Sequence, residues 1–334
     1  MINQPTLFVV GAGASCEYRF PLGIKLKNDI LQAVTFESHF QITSSDPILL
    51  QALNYEQPKN ANRLVQAGNK LSGSAFPYDS VDEALHAFSS DPHVVQIGKL
   101  AIASQILGAE KSSSLFKDQY GDLEYVRNLK GWLPRLFSLA VNGLTRDKIP
   151  DAFRTVAIIN FNYDRALEHF LYHSVRALDL PHEAAVETVE NLTIIRPYGS
   201  LGPLPWQSSE GIEFGSYNRN LFKMSTNLRT FTETLGDDIK ATIAERIERS
   251  AVVIYLGFGF HRQNVEIMQA QGAHIGQPKV FATAYGYDEV NHEPITRAIG
   301  SSLRKTDWQN IIIKPWTCRD LFDRAWPAIS FAVS

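Results

Sequence analysis

The stretch Leu7-Phe8-Val9-Val10-Gly11-Ala12-Gly13-Ala14-Ser15 constrains this chain more than any other. An apolar run without alternation needs cover on both faces, which is the condition of a strand inside a parallel sheet. It runs straight into small residues, and an amphipathic stretch over residues 22–34 follows. Glycines let backbone amides approach an anion closely, and a helix amino terminus adds unpaired donors, so the form is that of a phosphate-binding turn. A plain strand-to-helix connection with no ligand has the same outline.

Further short apolar runs at residues 155–159, 193–195, 252–256, 280–282 and 311–313 read as companion strands. Helix-like stretches at 164–175, 262–271 and 318–330 follow three of them. That rhythm predicts an α/β fold, a Rossmann-like, doubly wound, mostly parallel sheet. The strand signals stop between residues 44 and 148, where 81–88, 94–106 and 123–139 carry helical spacing. The expected organisation is therefore a Rossmann-like nucleotide-binding core over 1–43 and 149–334, with an α-helical insertion at 44–148. Pro47, Pro58, Pro77, Pro92 and Pro134 divide that insertion into several helices. Residues 203–221, with Trp206, Gly211 and Gly215 and little periodicity, read as a long loop over the carboxyl edge of the sheet.

Composition narrows the function classes. The 334 residues are 44% hydrophobic and 20% charged, the balance of a chain folded throughout. A net charge of -3 and a pI near 6.3 give no support to nucleic-acid binding or to an anionic membrane surface. Two cysteines, Cys16 and Cys318, make neither a disulfide framework nor a four-cysteine zinc site, and they fit a reducing cytoplasm. No apolar run approaches the roughly 18 residues of a membrane span, and the start lacks a signal-type stretch. A cytoplasmic protein without membrane contact is expected.

The first turn departs from the dehydrogenase fingerprint, because Cys16 stands where the third glycine would fall. No acidic residue ends a second strand about 20 residues on, and the P-loop lysine motif is absent. A hydride-transfer enzyme and a P-loop NTPase are both disfavoured.

Three segments in order resemble the sirtuin superfamily: Gly11-Ala12-Gly13-Ala14-Ser15, Asn160-Phe161-Asn162-Tyr163-Asp164 and Gly257-Phe258-Gly259. The chain is most similar to the prokaryotic sirtuin-like domains of phage-defence systems, through Ser80-Val81-Asp82 and Phe258-Gly259-Phe260-His261. Those relatives hydrolyse NAD, whereas deacylating sirtuins carry a zinc module that two cysteines cannot build. The resemblance implies NAD as substrate or ligand, no metal, and a glycohydrolase releasing nicotinamide and ADP-ribose in bacterial antiviral defence. A non-catalytic sensor of NAD or an ADP-ribose-type nucleotide is the alternative. Since free NAD hydrolysis would harm the host, gating by a homo-oligomer or a partner defence protein is expected, with the insertion as the natural contact surface.

By the same resemblance Asn162 holds the attacking water or a ribose hydroxyl, and Asp164 fixes that loop or the nicotinamide side. Gly257, Phe258, Gly259 and His261 meet the adenosine half, and Cys318 lies beside adenine. Tyr198-Gly199 stands where the family has His-Gly, and a phenol is a poorer base than imidazole at neutral pH. Simpler readings of these residues stay open. Asn162 and Asp164 are also good helix caps. Tyr198 either bonds the ribose or covers the pocket floor, and Cys318 is also a small core residue. Glu17 and Arg19, just after the glycine turn, either meet phosphate and ribose or pair with each other. His169 and His173 have the i, i+4 spacing of metal ligands, with no third ligand nearby in sequence and a packed helix face as the simpler reading.

Overall fold

The computed structural model describes residues 1–334 except 39–41, 57–58, 118–120, 218–219, 231–232, 234, 270–276 and 304–306. Its strands are β1 (Thr6–Val10), the short β2 (Glu37–Ser38) and β3 (Ile42–Thr43), β4 (Val156–Asn160), β5 (Thr193–Ile195), β6 (Val252–Leu256), β7 (Lys279–Thr283) and β8 (Ile311–Lys314). β2 and β3 form a small antiparallel ladder of their own. The other strands make one six-stranded sheet in the order β5-β4-β1-β6-β7-β8, with every neighbouring pair parallel. Numbered among themselves, these strands run 3-2-1-4-5-6, the doubly wound Rossmann order. The sheet and its order are therefore those of the Rossmann-like α/β class expected from the apolar runs.

Burial explains why those runs do not alternate. Leu7 and Val9 of β1 share one core with Ile159, Val253 and Tyr255, while Phe8 and Val10 share the opposite core with Ile158, Ile254 and Phe281. Helices Gly23–Ala33, Pro92–Ser112 and His292–Leu303 cover the first face; Trp132–Val141, Ala166–Arg176 and Cys318–Val333 cover the second. Helical cover on both faces keeps water from the sheet amides and leaves the carboxyl edge open.

The described residues of 44–148 contain helices and no strand: Pro47–Tyr55, Ala61–Ser74, Val81–Ala87, Pro92–Ser112, Asp122–Asn128 and Trp132–Val141. These helices contribute to both cores of the sheet. Pro47 and Pro92 each open a helix behind an aspartate whose side chain accepts amide hydrogen bonds, Asp46 and Asp91 respectively. Pro134 differs from expectation. It sits in the first turn of Trp132–Val141, where its missing N–H has no carbonyl to lose, and the break in 123–139 falls at Gly131 instead, with φ 114°. Pro58 and the end of the expected 262–271 helix lie outside the described residues; the helix there is Arg262–Ile267. One further helix, Ala12–Cys16, opens inside the glycine turn itself, ahead of Gly23–Ala33. Among the described residues no helix is long and apolar enough to cross a membrane.

Candidate functional site

β1 leaves toward β4 on one side while β6 lies against its other side, so the crevice at their carboxyl ends is the topological switch point where ligands of such sheets bind. A cavity of about 710 Å³ occupies it. Its walls are the turns after β1, β4, β6, β7 and β8, joined by residues 79–83 from the helical segment. That volume is within the roughly 300–1,000 Å³ of small-molecule sites.

Every site residue expected from the sequence lines this cavity except Arg19 and Gly199. Arg19 is an exposed residue with φ 72° in the turn beyond the first helix. Gly199, with φ 74°, bridges to Leu228, and a Cβ there would lie 2.0 Å from the carbonyl oxygen of Asn227. Its glycine is required by that close approach. Glu17 reaches the wall with both oxygens already engaged: Oε1 accepts from the Arg319 amide at 2.8 Å and Oε2 from the Trp132 amide at 3.1 Å. It thereby satisfies donors at the starts of two helices, and burial pushes its carboxyl above the usual range. Among the described residues no ion pair joins it to Arg19.

The cavity floor is two glycine turns packed backbone to backbone. The Gly13 amide donates to the Gly257 carbonyl at 3.0 Å, and the Gly11 amide donates to that of Leu256 at 3.0 Å. A Cβ on Gly11 would lie 2.6 Å from the Gly257 oxygen, and one on Gly257 would lie 2.0 Å from the Ala14 nitrogen. Among the described residues the Ala12 amide has no acceptor, which leaves it as a donor on the cavity wall.

Above that floor Ser15, Asn162 and Asp164 form one network. Ser15 Oγ donates to Asp164 Oδ2 at 2.7 Å, and Asn162 Nδ2 donates to Ser15 Oγ at 2.8 Å and to the Gly11 carbonyl at 3.0 Å. Both hydrogens of the Asn162 amide are thus used, and its Oδ1, with no protein donor among the described residues, is left for a ligand. Asp164 Oδ1 accepts from the Ala166 amide at 3.1 Å, so the helix-start role is real and coexists with the network. Arg196 Nη1 donates to the Asn162 carbonyl at 2.8 Å while its Nη2 grips Glu168 at 2.8 and 2.7 Å, which fixes the turn from behind.

Burial raises the Asp164 carboxyl from 3.8 to about 6, against Ser15 and Arg196, which lower it. A folded-state pKa above the unfolded one means the native protein keeps this proton longer, so its contribution is most favourable below 3.8 and is lost as pH rises to about 6. Asp164→Asn, which cannot ionise, is expected to gain on the wild type across that window by on the order of 2 kcal/mol. Urea unfolding of both proteins at either end of the window reads this; a gap that stays constant with pH would contradict it.

Tyr198 lies 7% exposed in an aromatic wall with Phe161 and Tyr163. Its hydroxyl donates to Asn264 Oδ1 at 2.6 Å, and burial pushes the phenol well above its ordinary value. His261 is exposed on the rim at the start of helix Arg262–Ile267. Cys318 is buried at the start of the last helix, and burial likewise raises its thiol. Phe258 belongs to the same aromatic wall as Phe161, with centroids 5.1 Å apart.

His169 and His173 face packing partners. His169 stacks on Phe214 with centroids 4.1 Å apart and bonds the Leu115 carbonyl, and His173 Nδ1 bonds Asp122 Oδ1 at 2.6 Å. Among the described residues no group of three metal-ligating side chains occurs.

The structure adds Asp82, Tyr163 and Asn264 to the lining, with Arg196 and Glu168 behind it. Ser80, whose hydroxyl caps the helix carrying Asp82, was the local signal for that element; what Asp82 faces depends on a turn far along the chain. No family model matches this chain, and no curated protein matches it. Fold and cavity define it as a Rossmann-like protein with a cleft at the switch point.

Proposed function

We propose that the cavity cleaves NAD to nicotinamide and ADP-ribose, in a cytoplasmic protein of bacterial antiviral defence whose activity is gated by self-assembly or by a partner protein. The observation that carries this reading is the Asn162 side chain, pinned through Nδ2 to Ser15 and Gly11 with Oδ1 left over beside a glycine turn. Nicotinamide is a cationic leaving group, so breaking its glycosidic bond chiefly requires an oriented ribose and stabilisation of oxocarbenium-like positive charge. A fixed carbonyl oxygen on Asn162 suits both tasks, by accepting from water or a ribose hydroxyl and by facing the developing charge. Asp164, ionised above its pKa of about 6, adds negative potential to the same wall.

Asn162→Ala is expected to lower nicotinamide release from NAD at least about 100-fold, the scale of losing one preorganised polar group. Release by the variant at the wild-type rate would sink the assignment. A second reading, a nucleotide sensor that binds NAD or ADP-ribose without turnover, is favoured by Tyr198. That hydroxyl is engaged with Asn264 and far from ionising at neutral pH, so it supplies no base where the resemblance places a histidine. Calorimetric binding of NAD without nicotinamide release would establish the sensor.

A further inference from the structure

Two carboxyl groups of the cavity wall have contrasting surroundings. Asp164 is engaged through both oxygens, by Ser15 and by the Ala166 amide. Asp82, on the first turn of Val81–Ala87, receives the Tyr163 hydroxyl on Oδ1 at 2.5 Å, and its Oδ2 has no donor from another residue among those described. Asp82 is only half-buried and lines the cavity. Tyr163 follows Asn162 directly in the chain, so the bond from its hydroxyl ties Asp82 to the turn that carries the asparagine. Tyr198, the residue in the family histidine's place, is close enough to Asp82 to feel its charge.

We infer that Asp82 is the general base of the cleavage, its Oδ2 taking the proton of the attacking water while Tyr163 holds Oδ1. This rests on the hydrolase reading above. In the balanced step the water oxygen bonds to the ribose C1′ and the C1′–nitrogen bond breaks, its electron pair returning to the pyridinium ring so that neutral nicotinamide leaves. The water proton passes to Asp82 Oδ2 and then to solvent, and ADP-ribose is released. A carboxylate serves here because the leaving group needs no protonation; only the nucleophile does proton chemistry. Burial lifts this carboxyl to about 6, against the Tyr163 hydrogen bond, which lowers it. Glu83 on its own helix raises it further; the helices packed against it carry Lys27, bound to the Tyr78 carbonyl, Lys25 and Asp29, paired with each other, Lys99, paired with Glu233, Glu110, paired with Arg165, and Lys111.

The test uses the full chain, NAD and sodium azide. Asp82→Asn keeps an acceptor for Tyr163 and is expected to lose at least about 100-fold in hydrolysis with NAD affinity retained. Azide, an anionic nucleophile with no proton to give up, is expected to restore nicotinamide release in this variant and to form an azido-ADP-ribose. Hydrolysis near the wild-type rate, lost NAD binding, or no response to azide would each overturn the assignment. Should Asp82→Asn not fold, Tyr163→Phe decides the matter: with the donor gone the carboxyl titrates higher, so the acid limb of the rate profile moves to higher pH. Tyr163 bonds no other cavity carboxyl among the described residues, so an unmoved limb counts against Asp82 alone. A wild-type protein that releases no nicotinamide removes the hydrolase reading itself, an outcome separate from any result on the variants.

Discussion

Glu110→Ala is expected to lower the stability of the fold by about 3–5 kcal/mol, the scale of breaking a buried ion pair from one side. Glu110 is fully buried, and Arg165 is 1% exposed. Arg165 Nη2 meets Glu110 Oε2 at 2.6 Å, and Nε meets Oε1 at 3.0 Å. Oε2 also accepts from the Gly215 amide at 2.9 Å, while Arg165 Nη1 bonds the Ile212 carbonyl at 2.6 Å. Three segments meet there: helix Pro92–Ser112, the turn after β4, and the connection at residues 212–215. Removing the carboxylate strands a guanidinium without water and frees the Gly215 amide. The denaturant midpoint should fall accordingly, and the cavity should loosen with it because Arg165 directly follows Asp164. An unchanged midpoint would show that the pair does not hold these segments. Replacing Glu110 and Arg165 together by apolar residues of similar volume should recover much of the loss, since no charge is then left alone.

On the proposed function, Gly257→Ala is expected to weaken NAD binding at least about 100-fold, through backbone rather than side-chain chemistry. The position has φ 56°, and its new Cβ would stand 2.0 Å from the Ala14 nitrogen and 2.4 Å from the Gly13 carbonyl carbon. Neither is the end of a flexible side chain, so the two turns must part. That breaks the bond from the Gly13 amide to the Gly257 carbonyl and moves Gly11, whose carbonyl holds Asn162. Titration of NAD into the variant measures this. Gly300→Ala, in helix His292–Leu303 away from the cavity lining and at a position where a Cβ meets nothing, is the matched control, and equal binding by the two variants would contradict the argument.

The sheet was legible in the sequence because its strands are covered on both faces, and unbroken apolar runs at 6–10 and 252–256 have few other solutions. The turns at Gly11, Asn162 and Gly257 were legible for a related reason: each follows such a run, so strand parity brings all three to one edge. Residues whose roles depend on distant partners were not. Nothing local distinguishes Glu110 from an ordinary helix carboxylate, since its partner lies 55 residues on. Glu17 sits beside the glycine turn in sequence yet its acceptors are spent on amides 115 and 302 residues away. Gly199 shows the same limit, being needed against the Asn227 backbone and not at the cavity wall.

The interlocked glycine turns also set when the cavity can exist. One turn follows the first strand of the sheet in chain order and the other follows its fourth, more than 240 residues later. Until the later turn leaves the ribosome, Gly11 and Gly13 have no opposing backbone, and the floor of the cleft is missing. A nascent chain therefore carries the Ser15 hydroxyl and the Gly11 carbonyl, the two acceptors of the Asn162 amide, before the cavity they belong to has a floor.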